Sequence, residues 1–366
     1  MSKMQNQYKP DSVTPPGETL LELLDEHGMS QAELSERMGR PKKTINEIIH
    51  AKAVIAPDTA LQLENVFGVP AHFWMRRELD YQEFLARRRE YDRLAQQLEW
   101  LKSFPVREMV KRGWIEDKKD PLEKFKAVLS FFGVASPEQW DKYWSSRAVA
   151  YRKSTAVSTN KAALITWLRQ GELLAEKLEC ASYNASKFKK ALETIKTLTN
   201  EPFEVVRSKI IALCAGAGVA VVFVPELPKM GVSGVTRWLS AGKALIQMSL
   251  RYKRDDTFWF TFFHEGKHVL QENKDEMFFA GDEGIAYDPN APMEQDADEF
   301  SANFLIPEAD FKGFVAASGN RVSKVEIIQF SSRLNIAPGI VVGRLQHNKV
   351  LPASHCNDLK QKYELN

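Results

Sequence analysis

Apolar residues recur at helical spacing in several short stretches near the start of the chain. The first stretch follows the turn-rich sequence "SVTPPGET" (12–19) and carries leucines at positions 20, 21, 23 and 24, until "HGMS" ends it. A second stretch begins at "SQAE", where Ser30 and Glu33 have the spacing of a capping box, and it runs to Met38. Gly39 then permits a tight turn. The pattern predicts two short helices joined by a sharp change of direction.

Two more short helices and a longer one are predicted downstream. "KKTINEIIHA" follows Pro41 and places its isoleucines on one face, whereas "DTALQLENVFG" begins after Pro57 and ends at Gly68. The sequence over 70–104 is long, charged and helical in pattern. Its arginine run "RRRE" (87–90) is either a phosphate-binding stripe or the solvated face of a helix, and such a run is more often the latter.

The pattern changes near residue 217. Between 105 and 200, short helical stretches alternate with loops, as in "PLEKFKAVLSFFG", "AALITWLRQGELLAEKL" and "SKFKKALETIKTL". "AGVAVVFVPEL" then predicts a buried strand, and "KALIQMSL" (243–250) a second one. The helix "TFWFTFFHEGKHVLQEN", a loop over 280–293 and the helix "EQDADEFSANFLI" follow, with two shorter helices after them. We therefore predict a mostly α, multidomain α+β protein.

The composition is that of a soluble globular protein large enough for two or three domains. The chain has 366 residues, of which 44% are hydrophobic and 27% charged, and its net charge is only +2. No apolar stretch approaches the roughly 18 residues of a membrane helix, and no secretory signal pattern begins the chain. Three scattered cysteines indicate a reducing compartment and no cysteine-ligated zinc. We therefore expect a cytoplasmic protein that does not bind membranes and whose DNA-binding surface, if present, is local.

Two short helices joined through "MGRPKK" form the helix-turn-helix pattern. In that motif the second helix lies in the major groove, and its first turns contact base edges. Those turns offer the polar side chains of Lys42, Lys43, Thr44 and Asn46. Lysine can donate to guanine, asparagine pairs well with adenine, and Gln31 at the start of the preceding helix could bind a phosphate. Periodicity alone leaves a second interpretation equally open, in which four helices form a small bundle with a hydrated polar face.

Residues 14 to about 85 resemble the HigA-type antitoxins of the XRE helix-turn-helix family. The resemblance includes the "PG" entry, the "SQAEL" helix start, the "TALQLENVFG" helix and the "FW" that follows it. The chain departs from the family at "HAK", where a glycine usually precedes the loop after the reading helix. The resemblance implies sequence-specific binding of a double-stranded DNA operator, with the protein acting as a homodimer on an inverted repeat.

Two of the seven histidines lie four positions apart in the predicted helix "TFWFTFFHEGKHVLQEN". Positions i and i+4 share one helix face, so His264 and His268 can present their imidazoles to one ion. Glu265 is rotated by about 100° and is free to contact a metal-bound water. A catalytic zinc takes three protein ligands, and Glu294 in "EQDAD" can supply the third. Asp298, one turn further on, can accept the second N–H of a ligating histidine.

A His-Glu-x-x-His helix followed by a glutamate is the arrangement of gluzincin-type peptidases. Two other interpretations are weaker. A helix with two merely structural histidines would leave the "EQDAD" pattern at a suitable distance unexplained. A purely structural zinc would need a fourth protein ligand, and none is evident in the sequence.

Residues from about 205 to 350 resemble the ImmA/IrrE metallo-endopeptidases. The matching stretches are "GVSGVTRWL", "KALIQMSLR", "DTFWFTFFHEGKHVL", "EQDADEFSANFLIP" and "NIAPGIVVGRLQ". The resemblance implies that His264, His268 and Glu294 bind Zn²⁺. It also implies that Glu265 is the general base in peptide-bond hydrolysis. We expect the strand within 243–250 to be the sheet edge along which an extended substrate pairs.

Two further residues near this site are open to more than one interpretation. The family usually has glycine immediately before the second histidine, whereas this chain has Lys267 there. That cation could weaken metal binding or tune the choice of substrate. Tyr287, in the loop between the two motifs, is a candidate oxyanion donor, and the alternative is an ordinary loop aromatic.

Together these motifs predict a DNA-binding regulator fused to a zinc endopeptidase. We expect a helix-turn-helix domain at 1–76, a helical connector at 77–204, a gluzincin-like metallopeptidase domain with a small β-sheet at 205–350 and a C-terminal tail at 351–366. The expected substrate is a repressor or antitoxin protein, or this chain itself, in a prophage, stress or toxin–antitoxin circuit. The alternative is a DNA-binding repressor or antitoxin whose metallopeptidase-like domain senses a ligand, or binds a partner such as a cognate toxin, without cleaving. Glu265 favours the peptidase, because a pure metal sensor would not need it.

Overall fold

The computed structural model describes residues 12–148, 161–228, 230–251, 253–274, 277–281, 291–319 and 322–364. The chain divides between Leu98 and Glu99 into two compact units, which are described separately below. Sixteen α-helices and four strands lie in the described residues, which confirms the predicted mostly α, multidomain α+β class. Among these helices, none is both long and apolar enough to cross a lipid bilayer.

The N-terminal unit contains, in its described part, five helices. They are α1 (Pro16–Glu26), α2 (Gln31–Met38), α3 (Lys42–Ile49), α4 (Pro57–Phe67) and α5 (Ala71–Ala95). Ser30 caps α2 by accepting the N–H of Glu33, and Gly39 and Gly68 end α2 and α4 in the left-handed conformation. The cap and turn residues therefore end the helices where the sequence predicts.

These five helices close around one apolar core. Each helix contributes a fully buried side chain to it: Leu20, Leu34, Ile45, Leu63 and Trp74. Burying one large apolar side chain is worth roughly 1.5–3 kcal/mol relative to leaving it exposed. Because α3 turns its isoleucines inward, its polar side chains face solvent.

The second unit begins with a helical layer. Its elements are a short 3-10 helix (Leu98–Ser103), which begins at the last residue of the first unit, α6 (Val106–Lys111), α7 (Pro121–Phe132), α8 (Pro137–Ala148) and α9 (Lys161–Glu176). Trp100, Phe104, Phe132 and Trp140 form an aromatic cluster with ring centroids between 4.4 and 6.1 Å apart. Aromatic pairs in this range add to the stabilisation from burial. This part of the predicted connector therefore has a core of its own.

A sheet with the strand order β1-β3-β2-β4 follows in the described residues. The strands are β1 (Val219–Phe223), β2 (Val232–Ser240), β3 (Lys243–Met248) and β4 (Phe278–Gly281). β3 pairs in parallel with β1 and antiparallel with β2, and β4 pairs antiparallel with β2. Both predicted strands are present. The expectation that 243–250 forms the sheet edge is wrong, because both edges of β3 already pair with neighbouring strands.

The remaining helices of the second unit are α10 (Ala185–Lys196), α11 (Phe203–Ala215), α12 (Asp255–Leu270), α13 (Pro292–Leu305), α14 (Glu308–Ser318), α15 (Lys324–Leu334) and α16 (Pro338–His347). Alternate residues of β1 face two different cores. Val219 and Val221 pack in the core that contains Phe262 of α12, whereas Ala220 and Val222 pack in the core that contains α9. Helices therefore cover both faces of the sheet.

Helix α9 is fixed to the sheet by buried polar contacts as well as apolar ones. The indole N–H of Trp167 donates to the carbonyl of Val224 at 2.9 Å, and Gln247 Nε2 donates to the carbonyl of Trp167 at 2.7 Å. Arg237 of β2 forms an ion pair with Glu172 at 2.7 Å, and both side chains are largely buried. The predicted boundaries after residues 76 and 204 fall inside α5 and α11, and the finer domain division stays a prediction.

The predicted C-terminal tail packs into the core of the second unit. Tyr363 is only 1% exposed, stacks on Phe203 with centroids 4.6 Å apart, and its hydroxyl accepts the indole N–H of Trp259 at 3.0 Å. The N–H of Asp255 donates to the carbonyl of Gln361 at 3.0 Å. The end of the chain therefore holds the first turn of α12 in place.

Replacing this tyrosine tests the structural role of the tail. We expect Tyr363→Ala to lower the free energy of unfolding by about 3 kcal/mol, because it leaves a cavity beside Trp259 and Phe203. Tyr363→Phe removes only the hydrogen bond and should cost about 1 kcal/mol. Urea unfolding followed by tryptophan fluorescence measures both. Equal stability of the alanine variant and the wild type would mean that the tail does not pack as described.

Candidate metal centre and nucleic-acid interface

Helix α12 carries three polar side chains of the site in a buried setting. His264, Glu265 and His268 are 2%, 0% and 0% exposed. The helix packs against β2, α13 and α16. A helix that is surrounded in this way buries polar residues only where other groups compensate them.

Three donor atoms converge between α12 and α13. His264 Nε2 lies 3.0 Å from His268 Nε2, and Glu294 Oε2 lies 3.2 and 3.3 Å from these two nitrogens. The three side chains together could hold a metal ion. For zinc–ligand bonds of 2.0–2.1 Å, ligand atoms at tetrahedral corners stand about 3.3 Å apart. The observed triangle is close to one face of such a tetrahedron.

The other ring nitrogen of each histidine faces an acceptor. His264 Nδ1 is 2.9 Å from Asp298 Oδ1, and His268 Nδ1 is 2.7 Å from Gln271 Oε1. In the neutral ring with its N–H at Nδ1, each histidine keeps an Nε2 lone pair for an ion bound within the triangle. These contacts are of the kind that orient histidines at metal sites.

The charges around the triangle favour a cation at its centre. Burial alone would lower the pKa of His264, but the neighbouring carboxylates of Asp298 and Glu294 raise that pKa to about 10. Burial would likewise raise the pKa of Glu294, and the two imidazoles instead lower it to about 2. In addition, Glu294 Oε2 is buried and accepts no well-formed hydrogen bond. The donor set of two imidazoles and one carboxylate therefore fits a divalent metal such as zinc.

Glu265 lies beside this triangle with one oxygen free. Its Oε1 accepts the N–H of Ala280 at 3.2 Å, whereas Oε2 is buried with no hydrogen-bond partner in the described residues. Burial raises the pKa of this carboxyl above its ordinary value. A Cβ on Gly234 of β2 would lie 2.8 Å from Glu265 Oε1, so glycine at that position leaves the carboxylate its space. The free oxygen makes Glu265 a suitable proton acceptor.

Lys267, the cation in front of the second histidine, is directed toward α13. Its Nζ lies 3.0 Å from Asp296 Oδ2 and 5.4 Å from the centre of the Phe300 ring. The charge is therefore partnered, and the residue links two helices of the site. Tyr287, the predicted oxyanion donor, lies outside the described residues.

Gln271 is a site residue that sequence reasoning missed. It follows the last turn of α12, three positions after His268, and its side chain reaches that histidine. Helical spacing of i and i+3 could have indicated the contact. Glutamine at the end of a helix is common, however, and carries little information by itself.

The predicted DNA-contacting residues lie on α2 and α3 of the N-terminal unit. Lys42, Lys43 and Asn46 are exposed, whereas Thr44 is partly buried. Asn46 Nδ2 donates to Gln31 Oε1 at 3.4 Å, which brings the two helices' polar groups together. The arginine run at 87–90 is exposed on α5, in agreement with either interpretation of it.

Each of the two units contains a segment that matches a known protein family. Residues 20–74 match a helix-turn-helix family, and residues 217–346 match the IrrE N-terminal-like domain, a peptidase family. Virulence-associated protein A of Dichelobacter nodosus is 31% identical over 84 residues, which are 22% of this chain and 76% of that protein.

Several solved structures are similar to about a quarter of the chain. Antitoxin HigA of Pseudomonas aeruginosa, solved with the higBA promoter, is 30% identical over 24% of this chain and 92% of its own, with a TM-score of 0.21. An addiction module antidote protein of the HigA family from Coxiella burnetii is 27% identical over 23% and 91%, also with a TM-score of 0.21. With the family matches above, the chain belongs to the XRE-type helix-turn-helix family through its N-terminal unit and carries an IrrE-like peptidase domain in its second.

Proposed function

We propose that this protein is a DNA-binding regulator whose second unit is a zinc endopeptidase. Its substrate would be a repressor or antitoxin protein, or another copy of this chain. The observation that carries the proposal is the buried triangle of His264, His268 and Glu294, beside which Glu265 keeps one oxygen free. A metal-binding sensor would need the triangle but not the neighbouring base.

The residues of the site would have different roles in hydrolysis. Zinc held by His264, His268 and Glu294 would supply Lewis acidity and lower the pKa of a water molecule. Glu265 takes the proton of the attacking water at Oε2 and passes it to the leaving amide nitrogen. The Nδ1 contacts of the two histidines keep their rings directed at the metal during this cycle.

An extended substrate would pair with β4 rather than with β3. β4 is the last strand of the described sheet, and its Ala280 lies within hydrogen-bonding distance of Glu265. Main-chain pairing with an edge strand binds peptides with little dependence on their side chains. This position would bring the scissile bond next to the base.

The cleavage function is tested with full-length, zinc-loaded protein. It is incubated alone and with each protein encoded beside its own gene, and intact masses are measured. We expect two fragments whose masses sum to one substrate plus one water. Full zinc occupancy without fragments in any mixture would instead favour the non-cleaving alternative, in which the domain senses a ligand or binds a toxin.

The N-terminal unit would bind a double-stranded operator as a homodimer. α3 presents Lys42, Lys43 and Asn46 to solvent, and Gln31 lies at the start of α2 beside Asn46. An exposed second helix with lysine and asparagine in its first turns fits major-groove readout. The absence of any strong net charge indicates that this surface is local.

Asn46→Ala is expected to weaken operator binding by about 1–3 kcal/mol, because it removes a base-reading amide. Binding to a random duplex should change little. Fluorescence anisotropy with the protein's own promoter and with a scrambled duplex separates the two. Asn65→Ala, an exposed asparagine on α4, is the matched control. Equal losses on both duplexes would show that Asn46 does not read a base.

A further inference from the structure

We propose that Gln271 is a positioning residue that sets the orientation of His268, and that Asp296 acts through Gln271. The inference rests on the proposed metal site. Neither Gln271 nor Asp296 would contact the metal or a substrate.

The hydrogen bonds of Gln271 fix which way its amide points. Its Nε2 donates to the carbonyl of Met293 at 3.0 Å and to Asp296 Oδ2 at 2.9 Å. Both partners can only accept, so the NH₂ end must face them. The carbonyl end is thereby turned toward His268 Nδ1, 2.7 Å away. An acceptor at that place requires the proton of the ring at Nδ1 and leaves Nε2 for the metal.

Helix α13 thus orients both histidines of α12, one by a direct contact and the other through Gln271. Asp298 accepts directly from His264, whereas Asp296 and the carbonyl of Met293 act on His268 through the glutamine. Glu294, between these positions, is the third donor of the triangle. One short stretch of α13 therefore supplies the ligand Glu294 and orients the other two ligands, His264 and His268.

Lys267 completes this arrangement. Its ammonium is 3.0 Å from Asp296 Oδ2, the same oxygen that accepts from Gln271. The pair is partly exposed, so its own contribution to stability is small. Its effect is to hold the Asp296 carboxylate where the glutamine needs it. The lysine therefore supports the site from outside rather than disturbing the metal.

The backbone role of Gln271 is separable from its side-chain role. Gln271 is the C-cap of α12, and its N–H donates to the carbonyl of Lys267 at 2.9 Å. Any residue other than proline keeps that bond. A side-chain substitution therefore tests the contact with His268 without removing the end of the helix.

The experiment measures metal affinity rather than activity. Metal-free full-length protein is titrated with Zn²⁺ against a chromophoric chelator, and the visible spectrum of the Co²⁺ form is recorded. Gln271→Met should lower the zinc affinity by about 10–100-fold and change the cobalt spectrum, because His268 loses its orienting partner. Gln295→Met, an exposed glutamine on α13, should leave both unchanged.

Double variants test whether Asp296 acts on His268 through Gln271. Asp296→Ala should lower affinity less than Gln271→Met does, and the two together should be no worse than Gln271→Met alone, because Asp296 acts through the glutamine. The swap Gln271→Glu with Asp296→Asn restores an acceptor for His268 and a donor to hold it, but leaves the Met293 carbonyl without a donor, so it should recover only part of the affinity.

Two results would overturn the proposal: wild-type affinity in Gln271→Met, or additive losses from Gln271→Met and Asp296→Ala. A wild type that binds no Zn²⁺ would overturn both this proposal and the proposed function. If the zinc affinities of the variants fall in the expected order but no substrate is cleaved, the role of Gln271 is supported and the proposed peptidase activity is contradicted. The two failures are therefore distinguishable.

Discussion

Glu265→Gln is expected to remove most of the hydrolytic activity and leave zinc binding intact. The amide keeps the shape of the carboxylate and can still accept the N–H of Ala280, which Glu265 Oε1 accepts at 3.2 Å. It cannot take a proton from water. General-base catalysis is worth about 10²–10⁴-fold, so the cleavage rate should fall by at least about 100-fold. Intact-mass time courses on the cleaved partner give the rate, and elemental analysis gives the zinc content.

A matched control separates this effect from a general loss of charge. Glu299→Gln removes an exposed carboxylate on α13 and should cleave at the wild-type rate. If Glu265→Gln also cleaved at that rate, Glu265 would not be the base. If it lost its zinc, the buried carboxylate would be needed for the metal instead.

Glu294→Ala is expected to remove the metal. Its Oε2 is the one carboxylate atom in the triangle, 3.2 and 3.3 Å from the two Nε2 atoms. Without it, two imidazoles remain, and catalytic zinc usually needs three protein ligands. The affinity should therefore fall by more than the roughly 10–100-fold that the loss of a supporting residue costs. Competition with a chromophoric chelator measures the zinc affinity of the variant.

Glu299→Ala on the same helix is the control for this second variant, and its zinc affinity should equal that of the wild type. Wild-type affinity in Glu294→Ala, with loss in His264→Ala, would contradict the ligand set. It would mean that another carboxylate completes the site.

The N-terminal bundle could be predicted closely because its signals are local. Ser30, Gly39 and Gly68 act at the helix ends through contacts within a few residues. The spacing of His264 and His268 is local in the same sense. Such features depend on the neighbouring sequence alone, and the structure places them where the pattern indicates.

Two strands escaped prediction because burial on both faces hides their pattern. β2 ("VSGVTRWLS") is covered by helices on each side and shows neither alternation nor a continuous apolar run. It also carries Arg237, which looks like a surface residue. Only the fold reveals that Glu172, 65 positions earlier, neutralises it at 2.7 Å. β4 is four residues long, and its residues pair with residues of β2 that lie 42 to 49 positions earlier.

Long-range contacts also explain the other parts that the sequence did not reveal. Tyr363 is buried against Trp259, 104 positions away, so a segment that resembles a polar tail belongs to the core. Gln271 reaches Asp296 across the loop between α12 and α13. Sequence spacing indicated which residues could meet a metal, but not which residues hold those ligands in place.

Zinc K-edge X-ray absorption on the zinc-loaded protein tests the metal site most directly. Two imidazoles, one carboxylate and an open position predict only nitrogen and oxygen neighbours, at about 2.0–2.2 Å, four or five in number. The imidazole scattering should correspond to two rings in the wild type and in Glu265→Gln alike. Sulfur neighbours at about 2.3 Å, or no zinc retained by the wild type, would contradict the site built from His264, His268 and Glu294.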